Sequence, residues 1–164
     1  MINDEIWLFV DGSVNTTSKA GCGACLIVDK TSQNSELIKN QIKTKIFYNT
    51  SSTKLELQTL LWALNFIKLS PKKIVVYTDC QNIIKLPDRR IKLEQNDFKT
   101  KANKKLINYK LYQKFYEWQD KLKFDLFKVD GHLPRQDKKK IDTIFALVDK
   151  QSRKEMRAIS KIEK

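Results

Sequence analysis

Two short apolar runs in this chain each end in an aspartate. Ile6 to Val10 runs into Asp11, and Ile74 to Thr78 runs into Asp79. A carboxylate at the end of a buried strand must be solvated, paired or bound to a metal, because an isolated charge in an apolar setting is too costly. Between them lies Glu56, in a segment where Leu57, Leu60, Leu61, Leu64 and Ile67 recur at helical spacing. Leu60, Ala63 and Ile67 share the stripe of Glu56, so this acid faces a core. Each acid alone has a simpler explanation. An Asp before Gly opens a turn, and a first-turn Glu suits the helix dipole.

The elements around these residues bring the acids together. The stretch Ile6 to Ser13, IWLFVDGS, is aromatic and β-branched, which predicts a strand buried on both faces. Gly21 to Val28 predicts a second strand and Glu36 to Tyr48, which alternates imperfectly, a third, completing an antiparallel meander. Ser and Thr in Asn49 to Thr53 suit an N-cap for a helix over Lys54 to Leu69, which Ser70-Pro71 ends. Lys73 to Asp79 then repeats the opening design. Strand, helix, strand implies a right-handed crossover and a parallel pair, so both aspartates reach the same sheet edge, where ligands of open α/β sheets bind.

Beyond Asp79 the pattern predicts a short helix over Cys80 to Leu86, closed by Pro87, and an exposed, basic excursion from about 88 to 105. A helix follows over Leu106 to Leu122, whose Leu111, Phe115, Trp118 and Leu122 share one side. Its aromatics Tyr109, Tyr112, Phe115, Tyr116 and Trp118 are read mainly as core at this spacing, with base stacking as the alternative. Phe124 to Asp130 predicts the last strand, Gly131 to Arg135 a loop, and the residues from about Asp137 a terminal helix with Ile141, Ile144, Phe145 and Val148 inward. The fold class expected is α/β: one domain over residues 1–164, with a mixed sheet of three antiparallel and two parallel strands and helices on both faces.

The net charge of +13 points to a polyanionic partner. Most of the excess lies late in the chain: residues 85 to 123 carry 12 Lys and Arg against 5 Asp and Glu, whereas residues 1 to 84 carry 9 against 7. No apolar run approaches the ~18 residues of a membrane span and no signal-peptide pattern opens the chain, so a cytoplasmic protein without membrane contact is expected. Cys22 and Cys25 have the gap of a zinc knuckle, but their odd offset on a strand sends them to opposite faces, and no second pair exists.

Taken together, FVDGS (Phe9 to Ser13), STKLELQTLLWAL (Ser52 to Leu64), VVYTDCQNI (Val75 to Ile83), KVDGH (Lys128 to His132) and KKIDTIF (Lys139 to Phe145) resemble the type 1 ribonuclease H family in order and in element, over nearly the whole chain. The resemblance implies a nuclease that cuts the RNA strand of an RNA/DNA hybrid with two Mg²⁺ ions, Mn²⁺ being a substitute, and leaves 5′-phosphate and 3′-hydroxyl ends. It assigns Asp11 to bridge both ions, Glu56 and Asp79 to bind one, and a terminal-helix Asp to bind the other. Asp142, ten residues after His132, has the family's spacing and is the residue expected. Asp149, seven residues further, shares its face and is the alternative, although an i,i+4 pair with Arg153 also explains it. His132, flanked by Gly131, is implied to assist proton transfer or product release.

For substrate binding, the resemblance points to small residues around the first Asp and before the helical Glu. Here these are Gly12, Ser13 and Asn15, with Ser51, Ser52 and Thr53; Gly12 and Ser13 would let a phosphate backbone approach. The excursion, with Arg89, Arg90, Lys99, Lys101, Lys104 and Lys105, stands where some members carry a basic handle, the alternative being a solvated Lys-rich face. The protein is expected to be monomeric. Two rival functions remain on this fold: a catalytically silent nucleic-acid-binding module, and a metal-dependent nuclease with another substrate.

Overall fold

A computed structural model describes residues 5–31, 35–68, 73–129 and 135–162. The strands are β1 (Glu5–Asn15), β2 (Ala20–Asp29), β3 (Lys43–Phe47), β4 (Lys73–Thr78) and β5 (Asp125–Lys128). The helices are α1 (Ser35–Asn40), α2 (Ser52–Leu64), α3 (Gln81–Gln95), α4 (Tyr109–Leu122) and α5 (Arg135–Ile162). The sheet order is β3-β2-β1-β4-β5. β1 pairs antiparallel with β2 and parallel with β4, β2 antiparallel with β3, and β4 parallel with β5.

Side-chain alternation along β1 divides the core. Leu8 and Val10 pack with Leu57, Leu60, Leu61 and Leu64 of α2 and Phe115 of α4. Trp7 and Phe9 pack on the other face with Ile141, Ile144 and Val148 of α5. Helices therefore cover both faces, and a central strand buried twice over reads as a continuous apolar run. Cys22 and Cys25 point to opposite faces, the first beside Ala20 and Met156, the second toward α2. Both are free thiols. Among the described residues no helix is long and apolar enough to cross a membrane.

The glycines of the first two strands bring α2 close to the sheet. A Cβ on Gly12 would lie 2.9 Å from Leu55 Cδ2, one on Gly21 2.7 Å from the same atom, and one on Gly23 would overlap the Thr59 side chain. Gly12 is thus required by packing, because the space above it is filled by Leu55. The expected opening for a phosphate backbone is absent on that side.

Two expected elements differ. The imperfect third strand divides into α1 and β3: Ile38 of α1 is buried against the α5 layer, which interrupts the alternation. Pro87 does not close a helix. α3 runs through it to Gln95 even though an interior proline removes a hydrogen bond and costs about 3 kcal/mol. Ile83, Leu86 and Leu93 anchor one face of α3 in the core, and the Tyr116 hydroxyl donates to the Leu86 carbonyl at 2.7 Å. The first part of the presumed excursion is therefore helix, and the loop proper begins at Asn96.

Candidate active site

The register of β1 against β4 ends at Phe9 and Tyr77, which leaves Asp11 and Asp79 level, each two residues beyond the last pair. Asp11 follows Trp7 and Phe9 in the alternation and so faces α5. Asp79 stands just past β4, where the Cys80 N–H donates to Thr78 Oγ1 at 3.1 Å and turns the chain toward α3. Glu56 comes from the first turns of α2, whose N-cap Ser51 accepts from the Lys54 N–H at 3.4 Å. Carboxylate oxygens of Asp11, Glu56 and Asp79 all lie within 4.8 Å of one another. The structure thus joins the three acids that the sequence singled out.

Asp11 is 4% exposed and Glu56 9%, while Asp79 is open to solvent. Burial foremost pushes the Asp11 carboxyl up to about 9. A hydrogen bond with Asp149 and the negative charges of Glu56 and Asp79 add to the rise, and the Gly12 N–H opposes it. Glu56 is raised to about 8 by burial and then by Asp79 and Asp149. Glu56 Oε2 is buried and accepts no hydrogen bond among the described residues. A buried carboxylate oxygen without a donor, beside two further carboxylates, is what a hard divalent cation would satisfy. The residues present fit such ions.

The structure separates the two candidates for the fourth acid. Asp142 lies in the level of α5 that packs on the body of the sheet, next to buried Ile141, and its carboxylate is 3.5 Å from Lys138 Nζ. Asp149 follows Val148, the last residue of that apolar layer, and reaches Asp11 at the sheet edge. Seven residues of helix separate the two by about 10 Å, so sharing a face does not mean sharing a site. Asp149 is further held by Arg153 Nη2 at 2.6 Å and, through its carbonyl, by Ser152 Oγ at 2.9 Å. His132 and Gly131 lie outside the described residues.

Of the residues expected at the substrate, Ser13 bonds Ser152, and Asn15 Oδ1 accepts from the Thr17 and Ser18 N–H groups, which shapes the β1–β2 turn. Ser51 caps α2, with Ser52 and Thr53 exposed beside it. In the basic region Arg90 is engaged internally with Glu94 and Asp120, Lys99 and Lys105 with Asp97. The Arg89 guanidinium lies over the Tyr112 ring at 5.5 Å. Lys101 and Lys104 are exposed and make no ion pair among the described residues. The expected handle is thus partly an internally braced loop.

Comparison with known proteins places these features. The model of the family described as RNase H matches residues 3–157. No curated protein matches the chain. Among solved structures, a foamy viral protease-reverse transcriptase in complex with double-stranded DNA is 8% identical with a TM-score of 0.60, covering 85% of this chain and 89% of that one. LC11-RNase H1, isolated from compost by a metagenomic approach and solved with an RNA/DNA hybrid, is 14% identical with a TM-score of 0.54, over 85% and 92% of the two chains. Native prototype foamy virus protease-reverse transcriptase is 15% identical with a TM-score of 0.65, over 91% of this chain; this chain spans 20% of that one. At these identities the solved structures establish the common fold.

Proposed function

Because the chain belongs to the ribonuclease H family, we propose that it hydrolyses the RNA strand of RNA/DNA hybrids endonucleolytically, at a site holding two Mg²⁺ or Mn²⁺ ions. The observation that carries this reading is the convergence of Asp11, Glu56 and Asp79, with Glu56 Oε2 buried and without a hydrogen-bond partner among the described residues and Asp149 close enough to raise the Asp11 carboxyl. Asp11, Glu56, Asp79 and Asp149 would hold the ions. When bound, two such ions polarise a water and neutralise charge on the attacked phosphate and the departing oxygen.

The chain's own contribution is placement. β1 and β4 hold Asp11 and Asp79 level, α2 brings in Glu56 from one side of the sheet, and α5 brings in Asp149 from the other. In the reaction a water oxygen bonds to phosphorus while the bond to the ribose 3′ oxygen breaks, and the 3′ oxygen takes up a proton. The products are 5′-phosphate and 3′-hydroxyl ends. His132 is assigned an auxiliary part in proton transfer or product release. Selection of the RNA strand requires contacts to 2′-hydroxyls.

The test presents labelled RNA/DNA hybrid, duplex RNA, single-stranded RNA and duplex DNA with Mg²⁺ or Mn²⁺, with Asp79→Asn as control. Selective loss of the hybrid's RNA strand by the parent chain alone is the expected result. Equal cutting of duplex DNA would indicate a nuclease of different substrate, and binding without cleavage a silent module.

A further inference from the structure

α5 does not stop at the carboxylates. It continues for three more turns alongside the end of β1: Asp149 lies at Asp11, Ser152 at Ser13, and Met156 packs with Ala20 and Cys22. Between helix and strand runs an open groove of about 490 Å³, with Ser13 and Asn15 on one wall, Met156 toward the floor, and Arg153 and Arg157 on the other wall. Among the described residues no acidic side chain lines it. The groove therefore begins where the carboxylates are and leads away from them under positive charge.

Its two arginines differ in commitment. Arg153 uses Nη2 to hold Asp149, and a planar guanidinium with five donors keeps others for a second acceptor. Arg157 is exposed and has no ion pair or hydrogen bond among the described residues. Four residues apart, the two guanidinium groups share one helix face about 6 Å apart along the axis. That spacing suits successive phosphates of one strand.

Building on the proposed nuclease activity, we infer that this groove seats phosphates of the nucleic-acid strand as it leaves the carboxylate site. Arg157 is the principal cation and Arg153, which also steadies Asp149, the second. A strand running there is held in line with the site by the two guanidinium groups along one wall.

The experiment measures hybrid binding across salt concentrations in the cleavage-deficient Asp79→Asn background, and steady-state cleavage in the parent background. Arg157→Gln is expected to weaken binding about tenfold and lower the slope of log affinity against log salt by about one. KM should rise by a similar factor with kcat unchanged. Lys154→Gln removes the same charge from an exposed position outside the groove, and should leave affinity within twofold of the parent. Unchanged affinity and slope in Arg157→Gln, or an equal loss in Lys154→Gln, would overturn the seat while leaving the nuclease reading intact. A parent chain that neither binds nor cuts the hybrid would overturn both.

Discussion

Ser13 Oγ lies 3.1 Å from Ser152 Oγ, which joins β1 two residues past Asp11 to α5 three residues past Asp149. Ser152 is fully buried and spends its own proton on the Asp149 carbonyl at 2.9 Å, which leaves Ser13 as donor in the pair. The contact thus fixes the register of α5 against β1 at the level of the carboxylates.

Ser152→Ala removes both bonds and should lower stability by about 1 kcal/mol. It should also weaken Mg²⁺ binding severalfold, because Asp149 loses its anchor. Chemical denaturation and calorimetric Mg²⁺ titration separate the two effects. A stability loss with unchanged Mg²⁺ affinity would make the pair merely structural.

Asp149 and Asp142 give a sharper contrast. Asp149→Asn should reduce kcat by a hundredfold or more while the fold is kept, since the residue is at the surface end of its helix layer. Asp142→Asn breaks only a half-exposed pair with Lys138, whose worth is ~0.5 kcal/mol at most, and should leave activity within about twofold. The reverse ranking in cleavage assays would restore Asp142 as the fourth ligand.

Stability should respond to pH in an unusual direction for carboxylates. Asp11 and Glu56 ionise near 3.8 and 4.5 in the unfolded chain but are raised to about 9 and about 8 when folded. Between these limits the folded state binds more protons. Their contribution is therefore complete below about pH 4 and is lost as pH rises through 8 to 9. With a chelator present, the stability difference between parent and Asp11→Asn should widen in favour of the variant from pH 5 to pH 8.5, by on the order of 2 kcal/mol. Added Mg²⁺ should stabilise the parent more at the higher pH and the variant little. Denaturant midpoints that shift equally with pH in both proteins would contradict the assignment.

Lys101 and Lys104 are the cations of the basic loop not engaged internally, so their joint reversal to Glu tests the handle. Hybrid binding should weaken and its salt slope fall by about two, without loss of stability. An unchanged slope would leave the loop a solvated face.

The three-acid site was legible because each acid terminates an apolar pattern, and strand order then forces Asp11 and Asp79 to one edge. The fourth acid was harder to read, because spacing from His132 points to Asp142 whereas the same rule points to Asp149. Asp149 comes directly after the last residue of its apolar layer, as Asp11 comes after Val10. Pro87 hid the continuation of α3, although Ile83, Leu86 and Leu93 already carry the helical period. Ser152 occupies an apolar-stripe position between Val148 and Met156, and a small polar residue there is a signal for a buried hydrogen bond. The internal pairs of Arg90, Lys99 and Lys105 depend on loop and helix packing that no local pattern reveals.

Gly23 tests how closely the site depends on the contact between α2 and the sheet. Thr59 sits over Gly23, and its hydroxyl donates to the Leu55 carbonyl at 2.7 Å, one residue before Glu56. A methyl on Gly23 must push this turn of α2 away from β2, and overpacking of this kind costs about 1–3 kcal/mol. Gly23→Ala should therefore lower stability by that amount and also reduce Mg²⁺ affinity, because Glu56 moves with the turn. Thr59→Ala in the same chain removes the overlapping atoms and should recover part of both losses, so the two changes together should cost less than their sum. Additive losses in denaturation and Mg²⁺ titration would show that Gly23 and Thr59 act separately, and that the placement of Glu56 does not rest on this contact.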